Sequence, residues 1–206
     1  SIIRNLIIFI KLTIFFKKNY FCFLEFYMTK KLIVLAGGPS SGKTTLINAL
    51  VENGHVCYPE ISREVIQEAQ KQGIDQLFLE NPLLFSELLL QGRIKQYQEA
   101  LQETCDIVFL DRGIPDVLAY MHYIGDSYPK SFSDACEENR YTKIFLLPPW
   151  KEIYVSDAER YENYEQAVLI HEHLEETYRN FGYELITVPK DTVENRVQFV
   201  FNELDK

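Results

Sequence analysis

The sequence predicts an α/β fold in which a mostly parallel sheet carries helices on both faces. Short apolar runs of strand length alternate along the chain with longer segments whose apolar residues recur at helical spacing. The first apolar run, residues 32–36, leads directly into a glycine-rich turn and then into helical periodicity that ends at Asn53. Strands that alternate with helices pair in parallel, because each helix carries the chain back across the sheet.

The same alternation places the remaining elements. The longest helix is predicted to begin at Asn81-Pro82, since an Asn cap followed by proline favours a helix start. Asp191 and Glu194 fit a capping-box variant before the last helix. The predicted strands are residues 32–36, 55–59, 106–111, 143–147 and 183–188. After the first helix, the predicted helices are 61–72, 81–103, 113–124, 131–139, a long helix ending near Phe181, and 197–204. The apolar positions of the 81–103 helix include Leu83, Leu84, Leu88, Ile94 and Tyr97.

The turn after the first strand matches the pattern G-x-x-x-x-G-K-[ST], which is typical of a phosphate-binding P-loop. Its glycines let successive N–H groups point at an anion, and the helix that follows adds a partial positive charge. Lys43 is expected to reach the β- and γ-phosphates, and the Thr44 hydroxyl to ligate Mg²⁺. A glycine-rich turn without a ligand is the alternative. The predicted nucleotide-binding residues are Gly37, Gly38, Pro39, Ser40, Ser41, Gly42, Lys43, Thr44 and Thr45.

Composition narrows the class of protein. A chain of 206 residues builds one sizeable core, so a single domain is expected. The net charge of −9 disfavours a nucleic-acid binder. The cysteines are scattered without a C-x-x-C pair, which indicates a reducing, cytoplasmic setting rather than zinc or disulfides. These cysteines are Cys22, Cys57, Cys105 and Cys136.

Residues 1–27 differ from the rest of the chain in being apolar and basic. Lysines interrupt the segment too often for a membrane span, and it has no small-residue cleavage site. It is either a basic arm for a membrane surface or translated sequence upstream of Met28. The second interpretation is favoured, because the P-loop strand begins a few residues after Met28. The expected division is an extension, 1–27, and a nucleotide-binding, kinase-like domain, 28–206, with no membrane contact unless the extension belongs to the native protein.

Two acidic residues end neighbouring strands and are the main candidates for chemistry. Asp111 is placed like a Walker B residue that holds Mg²⁺, although it could instead cap the next helix. Glu60 could take a proton from an acceptor hydroxyl or orient Mg²⁺, or it could simply favour the first helical turn. Arg112 and Arg63 are candidate clamps for an acceptor or a phosphate; for Arg112 the alternative is a surface ion pair.

A polar stretch after the fourth strand, residues 151–165, is where a small mobile lid is expected. Arg160 could neutralise charge on a transferring phosphoryl group when the lid closes, and Asp157 lies close to it in sequence. The alternative is a solvated loop. Arg93, on the longest helix, could point into the site, but nothing local in the sequence shows it.

Taken together, these motifs resemble the P-loop AAA family of the NadR, or nicotinamide-riboside kinase, type. The resemblance covers about residues 31–204 and rests on the P-loop, Glu-x-x-Arg at 60–63, Asp-Arg-Gly at 111–113 and Asp-x-x-Arg at 157–160. The layout is also similar to that of deoxynucleoside kinases. The resemblance implies a three-layer P-loop NTPase fold, with Glu60 as base, Asp111 and Arg112 near metal and phosphates, and Arg160 in the lid.

The sequence therefore predicts an ATP- and Mg²⁺-dependent kinase that acts on a small nucleoside-like acceptor. The family also includes eukaryotic members described as GTP-binding trafficking proteins, so GTP is a possible nucleotide. That leaves a nucleotide-dependent switch, with slow hydrolysis and a protein or membrane partner, as the alternative. The sequence specifies neither the acceptor nor an oligomeric state.

Overall fold

Five parallel strands form one sheet in the order β2-β3-β1-β4-β5. The computed structural model describes residues 30–74, 76–153 and 163–206. The chain divides into two units, Ser1–Lys30 and Lys31–Lys206, and the elements of the second are as follows. In chain order they are β1 (Lys31–Ala36), α1 (Lys43–Glu52), β2 (Val56–Tyr58), α2 (Ser62–Lys71), α3 (Leu77–Glu80), α4 (Pro82–Gln102), β3 (Ile107–Asp111), α5 (Ile114–Ile124), α6 (Lys130–Glu138), β4 (Lys143–Leu146), a 3₁₀ turn (Lys151–Ile153), α7 (Tyr164–Asn180), β5 (Leu185–Thr187) and α8 (Val193–Leu204).

The central strand β1 separates two apolar cores. Side chains alternate across a strand, so Leu32 and Val34 enter one core while Ile33 and Leu35 enter the other. Helices α2 to α7 cover the first face, and α1 and α8 cover the second. Because both faces are covered, the strands are almost wholly apolar, as expected for a parallel sheet. The predicted α/β fold is confirmed.

Some element boundaries differ from the prediction. The second strand is shorter than expected, Val56–Tyr58, and the four-residue helix α3 was not predicted. The cap of α8 is Thr192, whose Oγ1 accepts a hydrogen bond of 3.3 Å from the Asn195 amide. Asp191, the predicted cap, instead accepts from the Thr192 amide at 2.7 Å. A residue one position closer to the helix therefore takes the capping role.

Helix α4 turns a partly polar face toward the protein interior. Three of its predicted apolar positions, Leu83, Leu84 and Leu88, are each 37% exposed. The Asn81 side chain caps the helix as predicted, accepting from the Leu84 amide at 3.1 Å. Its buried residues are Phe85, Ser86, Leu89, Leu90, Arg93, Gln96 and Ala100.

Within the described ranges, no helix combines the length and apolar character needed to cross a membrane.

Candidate functional site

The glycine-rich turn forms a tight loop between β1 and α1. Ser40 and Gly42 have φ angles of 57° and 70°, in the left-handed region that favours glycine. A non-glycine residue held there stores backbone strain, which is common at ligand-binding turns. At Gly37 an added Cβ would lie 2.9 Å from the Leu147 carbonyl oxygen, so only glycine fits this close approach. The loop has the shape expected of an anion cradle at a helix N-terminus.

Lys43 begins α1 and forms an ion pair with Asp111 at the end of β3. Strands β1 and β3 are neighbours in the sheet. Their register sets Asp111 of β3 opposite Leu35, which is one residue before the end of β1. The two side chains are only 9% and 10% exposed. Burial and the nearby Arg112 charge lower the pKa of Lys43, while Asp111 and Glu60 oppose that shift. The fold thus brings Lys43, at the start of α1, into contact with Asp111, at the end of β3.

Glu60, just beyond β2, is held by two arginines and two backbone amides. Its Oε1 accepts from the amides of Ile61 at 3.0 Å and Ser62 at 3.1 Å, and from Arg93 Nη2 at 3.1 Å. Its Oε2 pairs with Nε of Arg112. Burial favours the neutral acid, but Arg93, Arg112, Lys43 and the Ser62 amide outweigh it and lower the pKa of Glu60 to about 2. The side chain is therefore a carboxylate at any working pH.

Arg112 joins this cluster to β3 through a strained backbone. Its φ is 75°, and its amide donates to the Leu35 carbonyl at 3.1 Å. The guanidinium lies between Glu60 and Asp116, with 3.6 Å between Nη1 and the Asp116 Oδ1. Burial disfavours its charge, but these carboxylates and Asp111 raise the pKa of Arg112. A residue held at this φ stores backbone strain, and its side chain pairs with Glu60.

The turn after Arg112 is fixed by buried hydrogen bonds from three elements. Asp116 Oδ2 accepts from the Gly113 amide at 2.9 Å and from the Tyr178 hydroxyl at 2.5 Å. Arg93 Nη1 donates to the Gly113 carbonyl at 2.9 Å. Helices α4, α5 and α7 therefore all hold the Asp-Arg-Gly turn in place.

A cavity of about 560 Å³ opens beside Glu60, Arg93 and Arg112. Its polar end is formed by these charged groups, and its walls carry aromatic and aliphatic side chains from α3, α4 and α5. The cavity has the mixed lining and the size of a small-molecule site. The remaining wall residues include Ser62, Arg63, Phe78, Phe85, Tyr120, Tyr123 and Gln166.

A family model described as an AAA domain matches residues 32–196, most of the chain. The chain belongs to the AAA domain family. No curated protein matches the sequence.

Two solved proteins share the fold of this AAA domain. NadR in complex with NR has a TM-score of 0.67 at 20% identity, and the match covers 87% of this chain and 52% of NadR. A second NadR structure, with NAD and AMP-PNP bound, gives 0.65 at 18% identity over 88% and 51% of the two chains. Deoxyadenosine kinase from M. mycoides, bound to dCMP and dCDP, gives 0.62 at 14% identity over 84% and 98%. The AAA domain thus has the P-loop NTPase fold of these proteins and spans about half of NadR.

Several predicted site residues of the AAA domain lie at one edge of the sheet. Lys43 pairs with Asp111, and Arg112 pairs with Glu60. Thr44 is exposed in the first turn of α1, and Thr45 follows it there. A hydroxyl at Thr44 and a carboxylate at Asp111 are oxygen donors of the kind Mg²⁺ takes when phosphate and water supply its other ligands. The donor set therefore fits Mg²⁺.

The predicted lid residues Asp157 and Arg160 lie outside the described residues. Arg63 is exposed on α2 and lines the cavity beside Glu60, so it faces that cavity rather than the P-loop.

Sequence reasoning missed two residues that build the site. Arg93 is 4% exposed and contacts Glu60, which is 33 positions away in sequence. Asp116 is equally buried and bonds Tyr178, 62 positions away. Arg93 could have been found from the spacing of Ser86, Arg93 and Gln96, which places polar side chains on the same helical face as Leu89.

Proposed function

We propose that this AAA domain is an ATP- and Mg²⁺-dependent kinase that phosphorylates a hydroxyl of a small nucleoside-like acceptor. One observation carries the proposal: a phosphate cradle and a separate cavity meet at the Lys43, Asp111, Arg112 and Glu60 cluster. A kinase needs two such sites, one for the triphosphate and one for the acceptor, with the transferring group between them. The fold shared with deoxyadenosine kinase and NadR supports the same reaction class.

In this proposal the triphosphate lies along residues 37–45 and takes Lys43 away from Asp111. Lys43 would then balance the β- and γ-phosphate charge. Thr44 and Asp111 would hold Mg²⁺, which screens the phosphate oxygens against the approaching hydroxyl. The acceptor hydroxyl forms a bond to the γ-phosphorus as the bond to the β-phosphate oxygen breaks, and ADP leaves.

Glu60 is proposed to orient the acceptor hydroxyl and to receive its proton late in the reaction. Oε1 already accepts three hydrogen bonds, so Oε2 is the oxygen with room for the hydroxyl. A pKa of about 2 makes Glu60 a weak base. In a loose phosphoryl-transfer transition state little proton transfer is needed early, so orientation is the larger part of its role. Arg63, Arg112, Asp157 and Arg160 are proposed to contact the acceptor or the phosphates.

The test is an ATP-consumption assay with Mg²⁺ over a panel of nucleosides and nicotinamide riboside, run also with GTP and with phosphorylated products identified by mass. We expect stoichiometric ADP and a phosphorylated acceptor from the wild-type protein. Glu60→Gln is expected to lower kcat by about 10²-fold or more, whereas Glu99→Gln, an exposed residue of α4, serves as the matched control.

Slow ADP release with free phosphate and no phosphorylated acceptor would contradict the kinase and favour the nucleotide-dependent switch. A Glu60→Gln protein with the wild-type rate would remove Glu60 from its role. The remaining expectations, a domain over residues 28–206 and a cytoplasmic location, stand as part of the proposal.

A further inference from the structure

Arg196 on α8 is a buried arginine that bonds the backbone of the P-loop. It is 3% exposed, and its guanidinium donates from Nη2 to the Ser41 carbonyl at 3.0 Å and from Nη1 to the Gly42 carbonyl at 3.2 Å. These partners are 155 and 154 positions away in sequence. A Cβ on Gly42 would lie 2.6 Å from Nη1, so the loop and the guanidinium are in close contact.

A second residue outside the loop, Trp150, bonds the loop residue that precedes Ser41 and Gly42. The Trp150 amide donates to the Ser40 carbonyl at 3.0 Å, and the Trp150 ring centre lies 5.9 Å from the Arg196 guanidinium carbon. Three successive loop carbonyls, at Ser40, Ser41 and Gly42, therefore accept hydrogen bonds from residues outside the loop. In a trans peptide the carbonyl and the following N–H point in opposite directions. Fixing these carbonyls consequently turns the amides of residues 41, 42 and 43 to the other side of each peptide plane.

The charge of Arg196 has no acidic partner among the described residues, and its Nε is buried without a hydrogen bond. Burial is accordingly the cause that lowers the pKa of Arg196, although a guanidinium stays protonated at any working pH. A buried positive charge that lacks a carboxylate favours an anion nearby, because burial weakens solvent screening. The anion that the adjacent loop would receive is phosphate.

We propose that Arg196 is a positioning residue for the triphosphate: it fixes the P-loop amides toward the phosphates and adds a buried positive charge behind them. The inference rests on the proposed nucleotide binding, but it assigns a role outside the P-loop motif. Arg196 acts through the loop backbone and need not touch the nucleotide. It should therefore matter equally for any ligand with a polyphosphate group, whatever base that ligand carries.

The experiment measures dissociation constants for Mg-ATP and for Mg-tripolyphosphate by titration calorimetry. Arg196→Met is expected to weaken both by a similar factor, about 10-fold or more, since two charge-assisted hydrogen bonds are lost. Arg196→Lys keeps the charge but not the two-armed fork, so it should restore part of the affinity. Arg179→Met, an exposed arginine of α7 paired with Glu175, is the control and should leave both constants unchanged.

The acceptor KM separates positioning from general destabilisation. It should stay at the wild-type value in both Arg196 variants, because the acceptor cavity does not include Arg196. Equal losses in acceptor and triphosphate affinity would overturn the inference, as would wild-type triphosphate binding by Arg196→Met. If the Met variant does not fold by circular dichroism, Arg196→Lys decides: binding equal to wild type would overturn the inference, and weaker binding supports it.

A wild-type protein that binds neither ATP nor tripolyphosphate would overturn both this inference and the proposed nucleotide binding. If the wild-type protein and Arg196→Met bind ATP and tripolyphosphate equally well, this inference alone would be overturned.

Discussion

At the scale of single residues, Glu60 shows how neighbours determine what a carboxylate can do. Arg93 and Arg112 hold its two oxygens, and backbone amides at the start of α2 complete the shell. A carboxylate with this many donors keeps its charge and a fixed orientation. A substrate hydroxyl approaching Oε2 would meet an acceptor that is already aimed.

The low pKa of Glu60 predicts a specific loss of stability in acid. Because its pKa falls from the ordinary value of 4.5 to about 2 on folding, Glu60 stabilises the fold fully above pH 4.5. That contribution, about 2–3 kcal/mol, is lost as the pH falls from about 4.5 toward 2. Urea unfolding between pH 6 and 2.5 should show this for the wild-type protein.

The matched variants are Glu60→Gln and Glu99→Gln. Glu60→Gln should be less stable at pH 6, since Arg93 and Arg112 both lose the Glu60 charge, and its stability should depend less on pH below 4.5. Glu99→Gln should follow the wild-type curve. Parallel curves for wild type and Glu60→Gln would show that Glu60 does not have its low pKa.

At the scale of elements, helix α4 carries the support of the site on its inner face. Ser86, Arg93 and Gln96 are buried; Arg93 bonds Glu60, and Gln96 donates to the Pro59 carbonyl at 2.8 Å, next to Glu60. A helix that buries polar groups must give each one a partner. Arg93 and Gln96 on this face therefore bond Glu60 and the residue before it.

Removing Arg93 should disturb this element and Glu60 together. Arg93→Met is expected to lower the free energy of unfolding by about 3 kcal/mol, because it leaves the partly buried Glu60 with one cationic partner fewer. It should also raise the pKa of Glu60, so that the acid loss of stability begins at a higher pH. Lys95→Met, on the exposed face of the same helix, should change the free energy of unfolding by no more than about 0.5 kcal/mol and should not raise the pKa of Glu60. Equal effects from the two variants would contradict this account.

The elements also show which parts of the fold and the site can be predicted from the sequence. The P-loop, Glu60 and Asp111 follow from linear patterns, because each lies directly beside a strand whose apolar run is legible. Asp116 and Arg196 do not, because their partners Tyr178, Ser41 and Gly42 are 62 or more positions away and are chosen by packing. The spacing of polar residues on α4 places Arg93 on the buried face, but its partner Glu60, 33 positions away, is also chosen by packing. The cap at Thr192 instead of Asp191 shows the usual error of one residue at a helix end.

At the scale of the whole molecule, nucleotide binding should be visible as stability. A ligand that binds only the folded protein adds about 2.7 kcal/mol when its free concentration is 100 times Kd. Mg-ATP should therefore raise the thermal midpoint of the wild-type protein by several degrees. Lys43→Met should lose that rise, while Lys71→Met, an exposed lysine of α2, should retain it. A rise of the same size in Lys43→Met would place nucleotide binding elsewhere.

The two cores have a further consequence for how such a protein can change over time. The P-loop helix α1 and the helix α8 that bears Arg196 pack on one face of the sheet, whereas the cavity is walled by helices of the other face. The sheet lies between the two cores, and the ion pairs at its edge connect the residues of both sides. Substitutions in α3, α4 or α5 can therefore reshape the cavity for a new acceptor while the packing beneath the phosphate cradle stays as it is. If the proposed kinase activity holds, this division of the core would let related proteins change their acceptor while keeping the same phosphate donor.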